Sequence, residues 1–368
     1  MQAAGPQQER DVEFDLSHDG IVRWLREVDD ARLEELFAAA DAVRAAHVGD
    51  EVHRRGLIEI SNHCLRRCAY CGIRSANREV VRYRMEPDEI VACARQARDF
   101  GYGTVVLQSG EDRAHSTEWV AELVRRIAGE TGLAITLSLG ERPLADYAAW
   151  RRAGAARYLL RFETTDPVLF ERIHPGYPGR EPRLAILRHL RELGYEVGSG
   201  VMIGIPGQSW DSLARDLELF RELDLDMIGV GPYIPHPATP LGTDGHPDFP
   251  DAPDGQQVPN SEAQTYKVLA LTRLVRPDAN IPSTTALATL NTEQGRELGL
   301  QRGANIVMPN LTPPAYRALY EIYPGKACIS ETAAQCALCL DGRIHAIGRV
   351  PGTGPGWRPG HEPGRTRS

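Results

Sequence analysis

Eight short β-rich runs separated by longer helical patterns limit this chain to one broad architecture. The runs cover residues 56–60, 104–108, 134–139, 158–163, 198–203, 227–233, 281–285 and 305–308. Between them apolar residues recur at three-to-four spacing in 86–100, 118–128, 184–193, 209–223 and 261–275, with Pro87 in the first turn of the first helix. Parallel strands need such long crossovers, and eight βα units close into an α/β fold, a complete (βα)8 barrel of the TIM type. A barrel takes roughly 250 residues before insertions, so a chain of 368 residues holds one with extensions. The expected layout is an N-terminal helical extension at 1–50 covering one end, the barrel at 51–312, a C-terminal segment at 313–349 and a disordered tail at 350–368. A stretch dense in Pro, Asp and Gly at 236–259 reads as a long surface excursion after the sixth strand, away from catalysis.

The first run leads directly into Cys64, Cys68 and Cys71, a C-x3-C-x2-C triplet with Tyr70 before the last thiol. Reacting groups in such barrels gather at the carboxyl ends of the strands, where this loop falls. Three thiolates on one short loop can hold three irons of a 4Fe-4S cube and leave the fourth open. An open iron can chelate the amino and carboxylate groups of S-adenosylmethionine (SAM) and pass one electron to its sulfonium, releasing methionine and a 5'-deoxyadenosyl radical. The triplet resembles the signature of the radical SAM superfamily. A zinc site here would lack its fourth ligand, because His63 adjoins the first Cys and belongs to no separated pair.

The seven cysteines fall into two triplets and a lone Cys93, which is a metal-ligand grouping rather than a disulfide framework. Cys93 lies within a helical pattern and reads as a small core residue. Such thiols suit a reducing, oxygen-free cytoplasm. No run of about 18 apolar residues appears, and the first residues carry neither the charged nor the apolar region of a signal peptide, so a cytoplasmic protein away from membranes is expected. With 42 basic against 50 acidic residues, the net charge of −8 gives no footprint for nucleic acid. A small-molecule or protein partner is expected instead.

The second run ends in Gln108-Ser109-Gly110-Glu111-Asp112, where a glycine admits close backbone approach and Ser109, Gly110 and Glu111 are placed for the methionyl end of SAM. The fourth run ends Leu160-Arg161-Phe162-Glu163-Thr164, and a period of two puts Arg161 and Glu163 on one face, opposite Phe162. A charged pair is costly against an apolar helix layer, so that face is the lumen. Glu163 suits ribose hydroxyls and Arg161 a carboxylate. Thr136 and Ser138 alternate in the same way on the third run, and Thr284 and Thr285 join from the seventh. Arg183 opens the helix after the fourth run, in reach of a carboxylate near the cluster. The lumen therefore suits an anionic, amino-acid-like ligand. Tight turns at 204–208 and 235–237 fall at the same end. Beyond the last run, Cys328, Cys336 and Cys339 read as a peripheral second Fe-S site, either 2Fe-2S or 4Fe-4S, or as a zinc site with a borrowed ligand.

Over residues 56–348 the chain resembles the FeFe-hydrogenase maturase family HydE, in the biotin synthase-like branch of the superfamily. The resemblance rests on Ser61-Asn62 before Cys64, Cys71-Gly72-Ile73-Arg74, the segments 107–112, 136–141, 158–164 and 231–237, Pro282-Ser283-Thr284-Thr285-Ala286, Met308-Pro309-Asn310 and Tyr323-Pro324-Gly325-Lys326. Their order and spacing make it specific. It implies that Cys64, Cys68 and Cys71 carry the SAM-binding cluster, that Glu163 binds the ribose and Arg183 the carboxylate of SAM, and that Tyr70 lies near the adenine. It implies a cysteine-bound iron carbonyl cyanide substrate from a sister maturase, attacked at its sulfur on the way to a diiron precursor of the hydrogenase cluster. Arg161, Thr136, Thr284 and Thr285 would then hold the substrate's carboxylate and amino group, with Tyr320 and Tyr323 at the pocket border. The second triplet matches a peripheral cluster that some members carry. The implied partners are a reductant such as flavodoxin or ferredoxin and the sister maturases. The long 236–259 excursion and the Pro/Gly-rich tail depart from the family pattern.

Two other readings compete. A radical SAM enzyme acting on a free amino acid, such as methylornithine synthase, shares the barrel and cysteine loop. A non-enzymatic Fe-S or zinc scaffold would neither bind nor cleave SAM and has no use for a polar lumen. A biotin synthase needs thiolates inside the barrel for its sacrificial cluster, and none of the eight runs contains a cysteine.

Overall fold

The computed structural model describes residues 14–176, 181–243, 248–253, 255–328 and 331–361. The strands are β1 (Glu51–Ser61), β2 (Thr104–Ser109), β3 (Ala134–Ser138), β4 (Ala155–Leu159), β5 (Glu196–Ile203), β6 (Met227–Pro232), β7 (Ile306–Val307) and β8 (Val350–Pro351). The helices are α1 (His18–Arg26), α2 (Asp30–Val48), α3 (Pro87–Asp99), α4 (Thr117–Thr131), α5 (Leu144–Ala153), α6 (Pro167–Ile173), α7 (Glu181–Glu192), α8 (Trp210–Glu222), α9 (Glu262–Val275), α10 (Thr285–Leu290), α11 (Gly295–Gln301), α12 (Pro314–Arg317) and α13 (Ala333–Ala346).

All pairings between the named strands are parallel, in the order β6-β5-β4-β3-β2-β1-β7. Single bridges from Met227 to Asn280 and from Pro282 to Ile306 close the ring. The seventh run is thus a stave held at isolated points, not a strand. Pro282 has no N–H for a ladder, and Thr284 caps α10 by accepting from the Leu287 amide, so Thr285 begins a helix. The fourth strand also differs from its expected span: β4 ends at Leu159, because the Ser199 hydroxyl, not a backbone carbonyl, accepts from the Phe162 amide and Glu163 turns to a φ of 65°.

Alternation along the strands separates two environments. Ile58, Ile60, Val105, Leu107, Ile135 and Leu137 are fully buried in the main apolar core. Each fully buried side chain of this size contributes about 1.5–3 kcal/mol. Ser116, Ser209 and Ser261 cap α4, α8 and α9, and such caps contribute about 1 kcal/mol each. The expected helix at 86–100 starts from a Glu86/Glu89 capping box with Pro87 at its head.

Two expectations about the ends need correction. The N-terminal helices lie against α8 and α9 on the barrel's outside rather than over an end: Lys267 donates to the carbonyls of Leu25 and Glu27, and His18 bridges Asp211 and Glu218. The segment expected as a disordered tail is seated, through residue 361, in the barrel's amino-terminal mouth. β8 pairs with Glu51 and Val52 of β1, and the carbonyls of Pro355 and Gly356 accept from Arg157 at 3.0 and 3.2 Å. Glycines on both sides permit this, since a Cβ on Gly103, just before β2, would meet the Gly354 carbonyl oxygen at 1.7 Å and one on Gly356 would meet the His53 ring at 2.5 Å. Residues 1–13 of the extension, 362–368 of the tail, and 244–247 and 254 of the excursion lie outside the described residues. No described helix is long and apolar enough to cross a membrane.

Candidate active site

The irregular strand ends leave a cavity of about 300 Å³ at the carboxyl end of the barrel. Its wall includes Glu59, Tyr70, Cys71, Gln108, Ser138, Arg161, Glu163, Thr284, Thr285, Tyr323 and Lys326. The Arg161 Nε lies 3.2 Å from a Glu163 carboxylate oxygen, an ion pair in the cavity wall. Arg161 Nε and Nη2 and Glu163 Oε2 are buried without a hydrogen-bond partner among the described residues. Burial raises the Glu163 carboxyl above its ordinary range, while the Arg161 and Arg183 charges act against that rise. Buried polar atoms are normally hydrogen-bonded, so these open positions face the cavity as available donors and an available acceptor.

The cysteine loop closes one side. Cys64, Cys68 and Cys71 are free, half-buried thiols. Burial pushes all three thiols up, Cys71 to about 12, and Cys71 and Cys64 both act on Cys68. Three thiols on one loop, each acting electrostatically on its neighbours, are the donor set that suits a 4Fe-4S cube, whose thiolates each hold a different iron. Gly110 packs under the loop, where a Cβ would strike the His63 carbonyl oxygen at 2.3 Å and Cys64 Cβ at 2.7 Å. Glu111 accepts from Arg66 and from the Glu141 amide, and Glu141 accepts from Arg183 at 2.8 Å. Arg183 also donates to the Arg161 carbonyl at 2.9 Å, so one ionic network ties the cysteine loop to the ends of β2, β3 and β4. Tyr70 is fixed from behind: His174 Nδ1 faces the Phe170 carbonyl, which assigns its proton there, so Nε2 accepts from the Tyr70 hydroxyl at 3.0 Å.

A family model for the radical SAM superfamily matches residues 58–220. The FeFe-hydrogenase maturase subunit HydE of Thermotoga maritima is 48% identical over 325 residues, 88% of this chain and 89% of that protein. The chain belongs to the HydE family of radical SAM enzymes. The 3-methylornithine synthase of Methanosarcina acetivorans is 30% identical over 296 residues, 80% of this chain and 79% of that protein. A crystal structure of methylornithine synthase superposes with a TM-score of 0.78 at 26% identity, over 92% of this chain and 95% of that chain. The barrel is thus shared across both groups, while the identity lies well on the HydE side.

Within this HydE-family barrel the expected site residues divide. Tyr70, Cys71, Ser138, Arg161, Glu163, Thr284, Thr285 and Tyr323 meet in one cavity wall. Three others stand behind it. Thr136 sits one layer below Ser138 on β3 with its hydroxyl buried and unpartnered among the described residues. Tyr320 is buried behind Gln108, whose amide reaches its hydroxyl at 3.3 Å. Arg183 is buried under Phe170 and reaches the site through Glu141 and the Arg161 carbonyl. Ser109 turns its hydroxyl to the Gly110 carbonyl.

The sequence reading missed Glu59 and Lys326, a buried ion pair in the cavity wall, with Asn310 donating to the other Glu59 oxygen at 2.9 Å. The signal was available, since Glu59 is a charged residue alternating with Ile58 and Ile60 on a strand. The second triplet is split: Cys328, at a φ of 60°, lies beside Cys336 and accepts from Arg296 at 3.8 Å, while Cys339 is exposed one turn along α13 beside Arg343. The Cys336 contact and the Arg296 charge hold the Cys328 thiol below its ordinary range, and the same contact raises Cys336.

Proposed function

We propose that this chain acts on a cysteine-bound iron carbonyl cyanide complex during assembly of the diiron part of the FeFe-hydrogenase active site. The observation that carries the reading is the pairing of open Arg161 and Glu163 atoms in a cavity walled by the cysteine loop. Cys64, Cys68 and Cys71 are the ligands for a 4Fe-4S cluster that, when bound with SAM, supplies a 5'-deoxyadenosyl radical. Glu163 would accept from the SAM ribose, and the Gly110 strand end would receive its methionyl part. Arg183 tensions that side through Glu141. Arg161 would bind the carboxylate of the substrate's cysteine, with Thr284 and Thr285 across the cavity for its amino group, Tyr323 closing the wall and Thr136 standing one layer behind it. Cys328, Cys336 and Cys339 would hold a second, peripheral Fe-S cluster, and a sister maturase would supply the substrate. The 48% identity to HydE against 30% to methylornithine synthase favours this substrate over a free amino acid.

The test is anaerobic reconstitution with iron and sulfide, reduction, addition of SAM, and quantification of 5'-deoxyadenosine with and without the iron complex. Stimulation by the complex with loss of its cysteine is the expected result. SAM cleavage indifferent to the complex would move the assignment to an amino-acid substrate. Arg161→Ala separates the two ligands. Hydrogen bonds to charged groups contribute about 1.5–3 kcal/mol, so the apparent substrate affinity is expected to fall roughly 10- to 100-fold while SAM affinity changes little. A fall in SAM affinity first would reassign the residue.

A further inference from the structure

The cavity has a second polar end, which the roles given to Arg161 and Glu163 leave unused. Glu59 is in register with Gln108 on β2, and Gln108 with Ser138 on β3, so these side chains form one level of the wall. The strands β2 and β3 stand between β1 and β4, whose continuation carries Arg161, so this end is separate from the Arg161 end. Both Glu59 oxygens are engaged, one by the Lys326 ammonium and the other by the Asn310 amide at 2.9 Å. Lys326 is less fully used. An ammonium has three N–H donors; one goes to Glu59, and the Tyr320 ring centre lies 5.3 Å from Nζ. No second acceptor reaches Nζ among the described residues, although Lys326 is buried and lines the cavity. Leu57, Met202 and Met308 line the same cavity with apolar surface.

We infer that Lys326, set in place by Glu59, donates to the cyanide nitrogen of the iron complex, and that this end of the cavity selects a metal-bound cyanide over a metal-bound carbonyl. The inference rests on the substrate reading above and sharpens it. Among the described residues that line the cavity, Arg161 and Lys326 carry the positive charges. With the cysteine carboxylate at Arg161, the anionic group left on the substrate is cyanide, whose nitrogen points away from iron and keeps a lone pair. A metal-bound carbonyl is a poor acceptor, and the apolar side chains suit it. A buried donor makes such a site selective, because a ligand that lacks the acceptor leaves the ammonium desolvated and short of a partner. Glu59 is a positioning residue that acts through Lys326, and it is itself fixed by Asn310 and by its amide, which donates to the Thr312 hydroxyl at 2.8 Å.

The experiment uses the reconstituted full chain and two probes: the cysteine-bound iron dicarbonyl cyanide complex, and a tricarbonyl analogue in which carbon monoxide replaces cyanide. Two readouts are taken, the affinity for each probe and the infrared C≡N stretching band of the bound cyanide complex, which a hydrogen bond to the nitrogen shifts. The unaltered chain is expected to prefer the cyanide complex roughly 10- to 100-fold, the range for a hydrogen bond to a charged group. K326M should lose that preference and move the C≡N band, with affinity for the analogue little changed. Because K326M leaves Glu59 buried without its cation, E59Q/K326M, which removes both charges, guards against a folding defect and should show the same two effects. Equal weakening of both probes in the variants would assign the pair to the amino-acid part of the substrate or to the fold, and would overturn the proposal. So would an unaltered chain without preference, or a C≡N band that stays in place in both variants. An unaltered chain that binds neither probe would instead overturn the substrate reading itself.

Discussion

Cys68→Ala is expected to abolish SAM cleavage, while Cys336→Ala retains most of it. Cys68 is the central thiol of the loop, acted on by both Cys64 and Cys71 and by Arg183. Removing it leaves two ligands for a cube that already keeps one iron open, and His63 adjoins Cys64 instead of offering a replacement across the loop. The rate of 5'-deoxyadenosine formation should fall by at least about a thousandfold, since enzymatic accelerations start near 10⁶. Cys336 stands apart from this chemistry. It lies on α13 against Cys328, and between that pair and the main cavity stands the wall formed by Thr285, Met308 and Lys326. Iron content and ultraviolet-visible spectra of the two reconstituted variants would show which cluster each substitution removes. Equal loss of SAM cleavage in both variants would sink the assignment of the second triplet as peripheral.

What could be read from the sequence follows how local each signal is. The cysteine loop, the capped helices and the alternation of Arg161, Phe162 and Glu163 are short-range patterns, and the structure places Phe162 in the core and the two charged residues in the cavity. The alternation succeeded even though β4 ends before these residues, because the chain continues beside β5 with Ser199 standing in for a ladder group. The seventh stave was overread, since threonine is common in strands but also caps helices, and Pro282 decides between the two. Glu59 and Lys326 are 267 residues apart in sequence, so no local pattern announces their pairing. The excursion at 236–259 looked remote from the chemistry, yet the Leu241 amide donates to Ala69 at 3.1 Å and His236 packs over Gly72, where a Cβ would meet its Nε2 at 2.4 Å. It braces the cysteine loop, and composition alone carries no information about what a loop covers.

The tail shows the same limit with a larger energetic consequence, because Pro and Gly density is read as disorder when no acceptor count is possible. At the amino-terminal mouth of the barrel, Arg157 and Glu196 form an ion pair with no solvent exposure. Arg55 is buried beside Arg157, and that burial together with the neighbouring charge pulls its guanidinium down to about 9. Two buried guanidiniums need more acceptors than one carboxylate supplies. The Gly356 carbonyl serves both, at 3.0 Å from Arg55 and 3.2 Å from Arg157, and the Trp357 ring lies 3.9 Å from the Arg157 guanidinium carbon. Arg358 then pairs with Asp226 and Asp278 while its amide donates to Glu196. Ending the chain after Arg349 strips these partners at once. Each buried polar group left open costs about 1–3 kcal/mol, and for a chain of this size the sum corresponds to a fall in Tm of about 5 °C or more. Glu196→Ala in the full chain should be at least as damaging, since breaking a buried pair costs about 3–5 kcal/mol. Thermal unfolding followed by circular dichroism checks both. A truncated chain that melts with the full one would mean that the strap rests on the mouth without holding it, and that water satisfies Arg55 and Arg157 equally well.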